Sequence, residues 1–463
     1  MIVSIVLILT VLYLLYYRFT QSFLRAYGAF FLILLFFITN KGSLSETEAL
    51  SGESQGVLSL VRWALLGVMV LISLRERQPD EMRVDSVLLI LTGLFLLDIF
   101  VSTTYAEDVS YSFMRAASFV LVALSIVTGS LRYLFWRAKC LQFFRFHYYI
   151  ALCLLPLPLG LHFAGLDEYG ATVLMGQYAG PFSNQNLFGI FSALITPYVL
   201  FHWHVDAQTR RDRIIDLGLL AVIFIGLWLS NSRGGLLATL ISVSTYFFIV
   251  NLESRLKIII AAVALVLAFI IFPTVKNNVM SFIRKDTVER AEITDVATQI
   301  LEERRYGLWV GVWPLYWKEK MTGYGFATSH LLAFPFTGDK TAGRHVHNSY
   351  LELFGDLGLP GIGLLLLIFY RAWSCGVNLV QRHESYLQRN INAVFISIFL
   401  SGAVNAFFES WMFSVGNIIS LMFWVPISGI VAQWGWAAVP KSIAESPLPA
   451  FNGLPRSTRQ AGF

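Results

Sequence analysis

The chain has 463 residues, of which 56% are hydrophobic and 14% charged, with mean hydropathy +0.64 and formal net charge +5. A soluble chain carries about 25% charged residues, and so few charges cannot cover the apolar surface of a water-soluble protein of this length. That excludes a cytosolic enzyme, a disordered chain and a secreted disulfide scaffold. The apolar runs are continuous and of helical length, unlike the alternating strands of a barrel. The fold class is therefore an all-α polytopic membrane protein, because helices satisfy their own backbone in lipid.

In chain order, candidate spans lie near 1–17, 25–39, 57–74, 84–104, 112–130, 147–166, 184–203, 215–230, 235–251, 257–275, 350–370, 391–408 and 415–437. That is about 12 to 13 transmembrane helices. The first lacks a basic leader and a small-residue cleavage site, so it reads as a retained helix. The chain divides into N-terminal helices (1–170), central helices with an arginine-containing turn (171–275), one long loop with short helices (276–349), C-terminal helices (350–437) and a tail rich in Pro, Gly and Ser (438–463) that reads as disordered. Within the loop, 287–304 reads as a polar helix, and 305–320 as an amphipathic helix carrying Tyr306, Trp309, Trp313, Tyr316 and Trp317. Aromatic rings of this kind suit the headgroup level.

Most of the 34 Lys and Arg residues fall in one set of loops, including Arg75, Arg132, Arg137, Lys139, Arg145, Arg210, Arg211, Arg213, Arg371, Arg382 and the tail. The positive-inside rule makes that side cytoplasmic. The N-terminus is then outside, the C-terminus inside and the long loop outside. Lys41, Arg233 and the long-loop residues remain on the outer side, and Arg62 and Arg115 lie within spans. Basic loops account for the net charge without a nucleic-acid partner. Cys140, Cys153 and Cys375 show no disulfide or metal spacing.

Chemistry concentrates in outward-facing polar segments. Gly180–Gly189 contains Asn184, a helix cap, and Asn186. Asn231-Ser232-Arg233-Gly234-Gly235 is a tight turn between spans. Arg233 there is either a snorkelling arginine or, beside backbone N–H groups at a helix start, part of an anion site. Arg304 and Arg305 open the aromatic helix, either as solvated partners of Glu302 and Glu303 or as a second phosphate-binding locus. The segment from Arg344 through His347, Asn348 and Asp356 to Gly361 places a histidine, which can accept a hydroxyl proton, before a Gly-x-x-Gly turn. His345-x-His347 alone is too few ligands for zinc. Glu409-Ser410-Trp411 places a carboxylate near hydrocarbon, where it calls for a partner such as Arg233 or Arg305.

Taken together, Pro181-Phe182 to Asn186, Ser232-Arg233-Gly234, Arg305-x-x-x-Trp309, Gly323-Tyr324-Gly325, His347-Asn348 with Gly358 and Gly361, and more loosely Glu409-Ser410 resemble the O-antigen ligase and Wzy-type polysaccharide polymerase superfamily, mainly over 180–370. Asp356 stands where many relatives carry glutamate. Of the tandem arginines, Arg305 fits because it precedes Trp309 by four residues. The resemblance implies a GT-C-like glycosyltransferase of the bacterial inner membrane with its active site facing the periplasm. It would move a glycan from an undecaprenyl-diphosphate-linked donor to a sugar hydroxyl, with inversion and without metal or cofactor. His347, Arg233 and Arg305 would be catalytic, with Arg304, Asn348, Asn186, Tyr324, Asp356 and Glu409 contacting substrate. Asn348 or Asp356 would fix the base. The acceptor is a second lipid-linked glycan (O-antigen or exopolysaccharide polymerase, the reading slightly favoured by Glu409-Ser410-Trp411 and the lengthy N-terminal helical region) or lipid A-core (ligase). A flippase and a chain-length regulator would be natural partners. A lipid-linked glycan transporter or a non-catalytic scaffold is the reading from another class.

Overall fold

A computed structural model describes residues 23–39, 66–76, 82, 84–167, 172–174, 177–182, 184–250, 304–332, 346–382, 385–414 and 418–437. The helices are α1 Phe23–Thr39, α2 Leu66–Arg75, α3 Ser86–Tyr105, α4 Val109–Leu134, α5 Arg137–Phe163, α6 Gln185–Asp206, α7 Arg210–Ser230 and α8 Arg233–Val250. They are followed by α9 Arg304–Lys318, α10 Ser329–Leu332, α11 Ser349–Gln381, α12 Tyr386–Asn405 and α13 Ile418–Ala437. Among the described residues, nine of these (α3 to α8 and α11 to α13) are long and apolar enough to cross a membrane. The expected spans 1–17 and 257–275, the helix at 287–304, His345 and the tail lie outside the described residues. The protein is a multi-pass membrane protein built almost wholly of helix. One element was not expected: an antiparallel hairpin, β1 Thr172–Leu174 with β2 Gln177–Gly180, just ahead of α6.

Local chemistry sets the helix starts. Side chains of Asp85, Asp108, Asn184, Ser385 and Asn348 accept from free backbone N–H groups at the starts of α3, α4, α6, α12 and α11. A reciprocal Thr209–Asp212 capping box opens α7. Each cap satisfies donors that no preceding turn can reach. α13, α6 and α12 form the buried centre, whereas α3 and α7 are exposed along most of their length. The large apolar residues α3 and α7 expose, such as Ile90, Leu97, Leu217 and Trp228, suit lipid contact.

α6, α8 and α12 pack closely because small residues meet where they cross. A Cβ on Gly235 would lie 2.4 Å from the Cα of Gly189, where α8 crosses α6, and Gly402 makes room on α12 for the Phe423 ring of α13, 2.3 Å from where a Cβ would stand. Without a hydrophobic drive between helices in lipid, such close backbone approach is what holds them together. α11 is broken at Gly358, whose φ is 66°. A Cβ there would sit 2.6 Å from the carbonyl oxygen of Lys320, and the freed Leu359 N–H donates to that oxygen at 2.7 Å. Pro360 then resumes the helix without needing a donor.

The two ends of the bundle differ chemically. One end carries the ion pairs Lys139–Glu76, Arg145–Asp206 (2.8 Å) and Arg371–Asp85 (2.6 Å), all on loops that the sequence assigns to the basic side. The other end gathers 102–112, 322–329, 346–357 and 406–414. There, Tyr105 donates to Thr322 O (2.8 Å), Ser112 to Phe326 O (2.8 Å) and the Phe326 N–H to Ser102 Oγ (3.1 Å).

Asp85 both caps α3 and receives Arg371. Burial alone would raise its pKa, but the hydrogen bonds from Arg371 and the Leu88 N–H prevail and hold the carboxyl below its ordinary range. Its contribution to stability is therefore complete above pH ~4 and is lost as pH falls through the lowered pKa. Asp85→Asn should cost about 1–3 kcal/mol, short of a fully buried pair because Arg371 is partly exposed. Thermal melting of detergent-solubilised protein at neutral pH checks this, and the gap between wild type and variant should narrow toward pH 3.

Candidate functional site

The site is built on the N-terminus of α11. Asn348 is extended, and its side-chain oxygen accepts from the N–H groups of Tyr350 and Leu351, both at 3.0 Å. The residue before it, His347, has φ 53°, a left-handed conformation rarely taken by a non-glycine residue and costing of order 1–3 kcal/mol. The conformation persists because its neighbours fix the chain on both sides. Val346 O accepts from Trp309 Nε1 at 2.6 Å, and Val346 N–H donates to Glu352 at 3.0 Å. Beyond His347, Asn348 N–H donates to Ser410 Oγ at 2.9 Å. Ser349 N–H donates to Ala406 O, and Ser349 Oγ donates to Glu409 O at 2.7 Å while accepting from Trp411 N–H at 3.1 Å. The segments 346–349 and 406–412 are thus one stitched unit.

That unit carries an imidazole held by a carboxylate. His347 Nδ1 lies 3.1 Å from Glu409 Oε2, with the histidine side chain 39% exposed and the glutamate 13%. An ionised carboxylate only accepts, so Nδ1 is the donor of this pair, and in a neutral imidazole the acceptor is then Nε2. The orienting partner is Glu409. Asn348 caps the helix instead, and Asp356, the other orienter expected from the sequence, is engaged elsewhere. Its buried carboxylate accepts from Ala327 N–H (2.9 Å) and Ser329 N–H (3.0 Å), and its carbonyl accepts from Gly325 N–H (2.9 Å). Asp356 thereby fixes the Gly323-Tyr324-Gly325 turn and caps α10. A Cβ on Gly323 would lie 2.3 Å from Asp356 O. Tyr324 belongs to the same turn: its N–H donates to Gly355 O and its hydroxyl to Leu315 O, both at 2.9 Å.

Arg233 is the first residue of α8, after the left-handed Asn231 that ends α7. A Cβ on Gly234 would lie 3.1 Å from Phe408 Cβ, so the start of α8 packs beside the residue preceding Glu409. Arg233 is half-buried. Ser232 and Gly235 abut Gly189, which brings the first turn of α6, with Asn186, to the same end. Asn184 accepts from the Asn186 N–H at 2.7 Å, and Gln185 Nε2 donates to Gln177 at 3.0 Å. Arg304 and Arg305 open α9, the helix tied to Val346 through Trp309. Sequence reasoning named Ser410 only beside Glu409, and gave no role to Glu352 or Ser349. The one available signal was a carboxylate in the first turn of a helix, which its N-terminal N–H groups favour. Among the described residues no group of three His, Cys, Asp or Glu side chains is arranged to hold a metal.

Beside α9 and α11 lies an open apolar groove of about 1270 Å³ lined by Trp309, Trp313, Trp317, Tyr350, Phe354 and Ile362, with Asn348 at its wall. Trp313 stacks on Trp317 and on Phe354, each at 5.5 Å.

Ser349→Ala removes bonds to Glu409, Trp411 and Met412 at once. It should lower stability by about 1–3 kcal/mol, read as a fall in melting temperature relative to wild type.

Comparison with curated proteins gave no match. A family model described as O-Antigen ligase matches residues 218–366. The matched segment runs from α7 through the first half of α11 and includes Arg233, Arg304, Arg305, Tyr324, His347, Asn348 and Asp356. Asn186 and Glu409 fall outside it. Over this segment, about a third of the chain, the protein is similar to the O-antigen ligase family, and its described helices include nine long and apolar enough to cross a membrane.

Proposed function

We propose that the protein is an inverting, metal-independent glycosyltransferase. It would move a glycan from a polyprenyl-diphosphate donor, typically undecaprenyl, to a sugar hydroxyl at the periplasmic face. The observation that carries this reading is the His347–Glu409 pair at 3.1 Å, a base with a fixed tautomer on the end of the bundle where Arg233 begins α8.

The acceptor hydroxyl oxygen attacks the anomeric carbon as its proton passes to His347 Nε2. The bond from that carbon to the diphosphate oxygen breaks, and its electron pair leaves on the lipid diphosphate. Glu409 stabilises the imidazolium that forms. Arg233 and the Arg304–Arg305 pair supply positive charge for the leaving oxygen, where developing charge is best met by preorganised cations. The apolar groove along Trp313 and Phe354 suits the polyprenyl chain. The positive-inside rule supports a periplasmic site, with the N-terminus outside and the C-terminus inside.

His347→Ala should lower transfer by about 10²–10⁴-fold and Arg233→Ala by about 10²–10³-fold, with membrane insertion unchanged and wild-type transfer persisting in EDTA. Incubating the purified protein with a polyprenyl-linked repeat unit reads these effects. Near-normal product from His347→Ala would refute the base. A product ladder from that substrate alone identifies a polymerase, whereas a requirement for lipid A-core identifies a ligase. A flippase would instead fail in transport and make no new glycosidic bond.

A further inference from the structure

α9 presents two adjoining stripes. Leu308, Val312 and Tyr316 are buried and pack with Val346 and Phe354 in a second apolar cluster. Trp309, Trp313 and Trp317, one position on in each turn, wall the apolar groove, and Trp313 and Trp317 are about half exposed there. Trp309 belongs to both. Its ring packs on the cluster and lines the groove, and its Nε1–H donates to Val346 O at 2.6 Å.

Both backbone polar groups of Val346 are held by side chains, the carbonyl by Trp309 and the N–H by Glu352. Val346 directly precedes His347, whose left-handed backbone persists only while its neighbours are fixed. A shift of the indole therefore shifts the carbonyl that fixes the histidine from its N-terminal side. The groove walled by that indole runs from Trp309 and Asn348 to Leu359 and Ile362, further along α11. Arg304 and Arg305 open α9 about one turn ahead of Trp309. Two cations before an apolar trough suit a lipid with an anionic diphosphate head and a long apolar tail.

We infer that Trp309 is a positioning residue through which lipid in the groove sets the base: an apolar chain packed on the indole keeps its N–H on Val346 O and so holds His347 in its left-handed turn. The inference rests on the glycosyl-transfer reading above. It makes the donor's lipid contribute to kcat as well as to binding, in the way that binding energy from non-reacting parts of a substrate is used to orient reacting groups.

The direct test is hydrogen–deuterium exchange on the full-length protein in lipid nanodiscs, with undecaprenyl diphosphate lacking a glycan as the probe. Exchange over 346–351 should slow by about tenfold in wild type, the worth of about one hydrogen bond. In Trp309→Phe, which keeps a ring in the groove but has no N–H to give, it should slow by less than about twofold. No slowing in wild type, or equal slowing in the variant, overturns the inference. In transfer assays at saturating donor, wild-type kcat should be about tenfold higher with a full polyprenyl chain than with a short prenyl chain. Trp309→Phe should lower kcat about 10-fold with the long donor and less than about threefold with the short one, with donor KM within about threefold. An equal loss with both donors marks an indole that only supports the fold, and an unchanged kcat frees His347 from it; either overturns the inference. His347→Ala run in parallel separates the two claims: its transfer activity decides the base, whereas the exchange measurement needs no transfer and decides the link through Trp309.

Discussion

The site end of this bundle depends on one constraint: a helix that starts at the membrane surface must have its first N–H groups satisfied by protein. α11 meets it with Asn348 and Ser349. Asn348 closes the first turn, and Ser349 reaches across to the loop after α12, giving a bond to Glu409 O and receiving those of Trp411 and Met412. Holding α11 to that loop brings Glu409 under His347. The left-handed backbone at His347 is tolerated because the bonds at Val346 and Asn348 leave the chain no cheaper route.

A second set of contacts positions the start of α8, where Arg233 stands. Gly189 and Gly235 let α6 and α8 approach to backbone distance, Gly234 packs on Phe408 in the loop after α12, and the first residue of α8 is Arg233. A side chain at Gly235 would push α8 from α6. Small residues at the crossings thus serve packing in lipid and the placement of charge together. Asp356 works similarly for the loop above: by accepting from Ala327 and Ser329 it anchors the Gly323-Tyr324-Gly325 turn, and with it the aromatic helix α9, against the broken α11.

The two ends of the bundle use charge differently. At the basic end, Arg145 and Arg371 are neutralised by Asp206 and Asp85, and the charges serve structure. At the site end, His347 is held by a single carboxylate while partly exposed. Groups left open to a ligand are where a membrane protein meets a polar substrate.

Much of this was legible in the sequence. Continuous apolar runs marked the helices, and lone polar residues marked several helix starts, because hydropathy and capping act within a few neighbouring residues. The aromatic period of 305–320 foretold α9 for the same reason. What only the tertiary structure decided were pairings between distant segments: His347 with Glu409, 62 positions apart, and Trp309 with Val346. The same limit misassigned Asp356. An acidic residue near a histidine motif reads as its partner, yet its place in the third turn of α11 puts its carboxylate against the 327–329 backbone, while His347 meets Glu409. Local sequence determines which groups stand at the membrane surface; the crossing of α6, α8, α11 and α12 determines which of them meet.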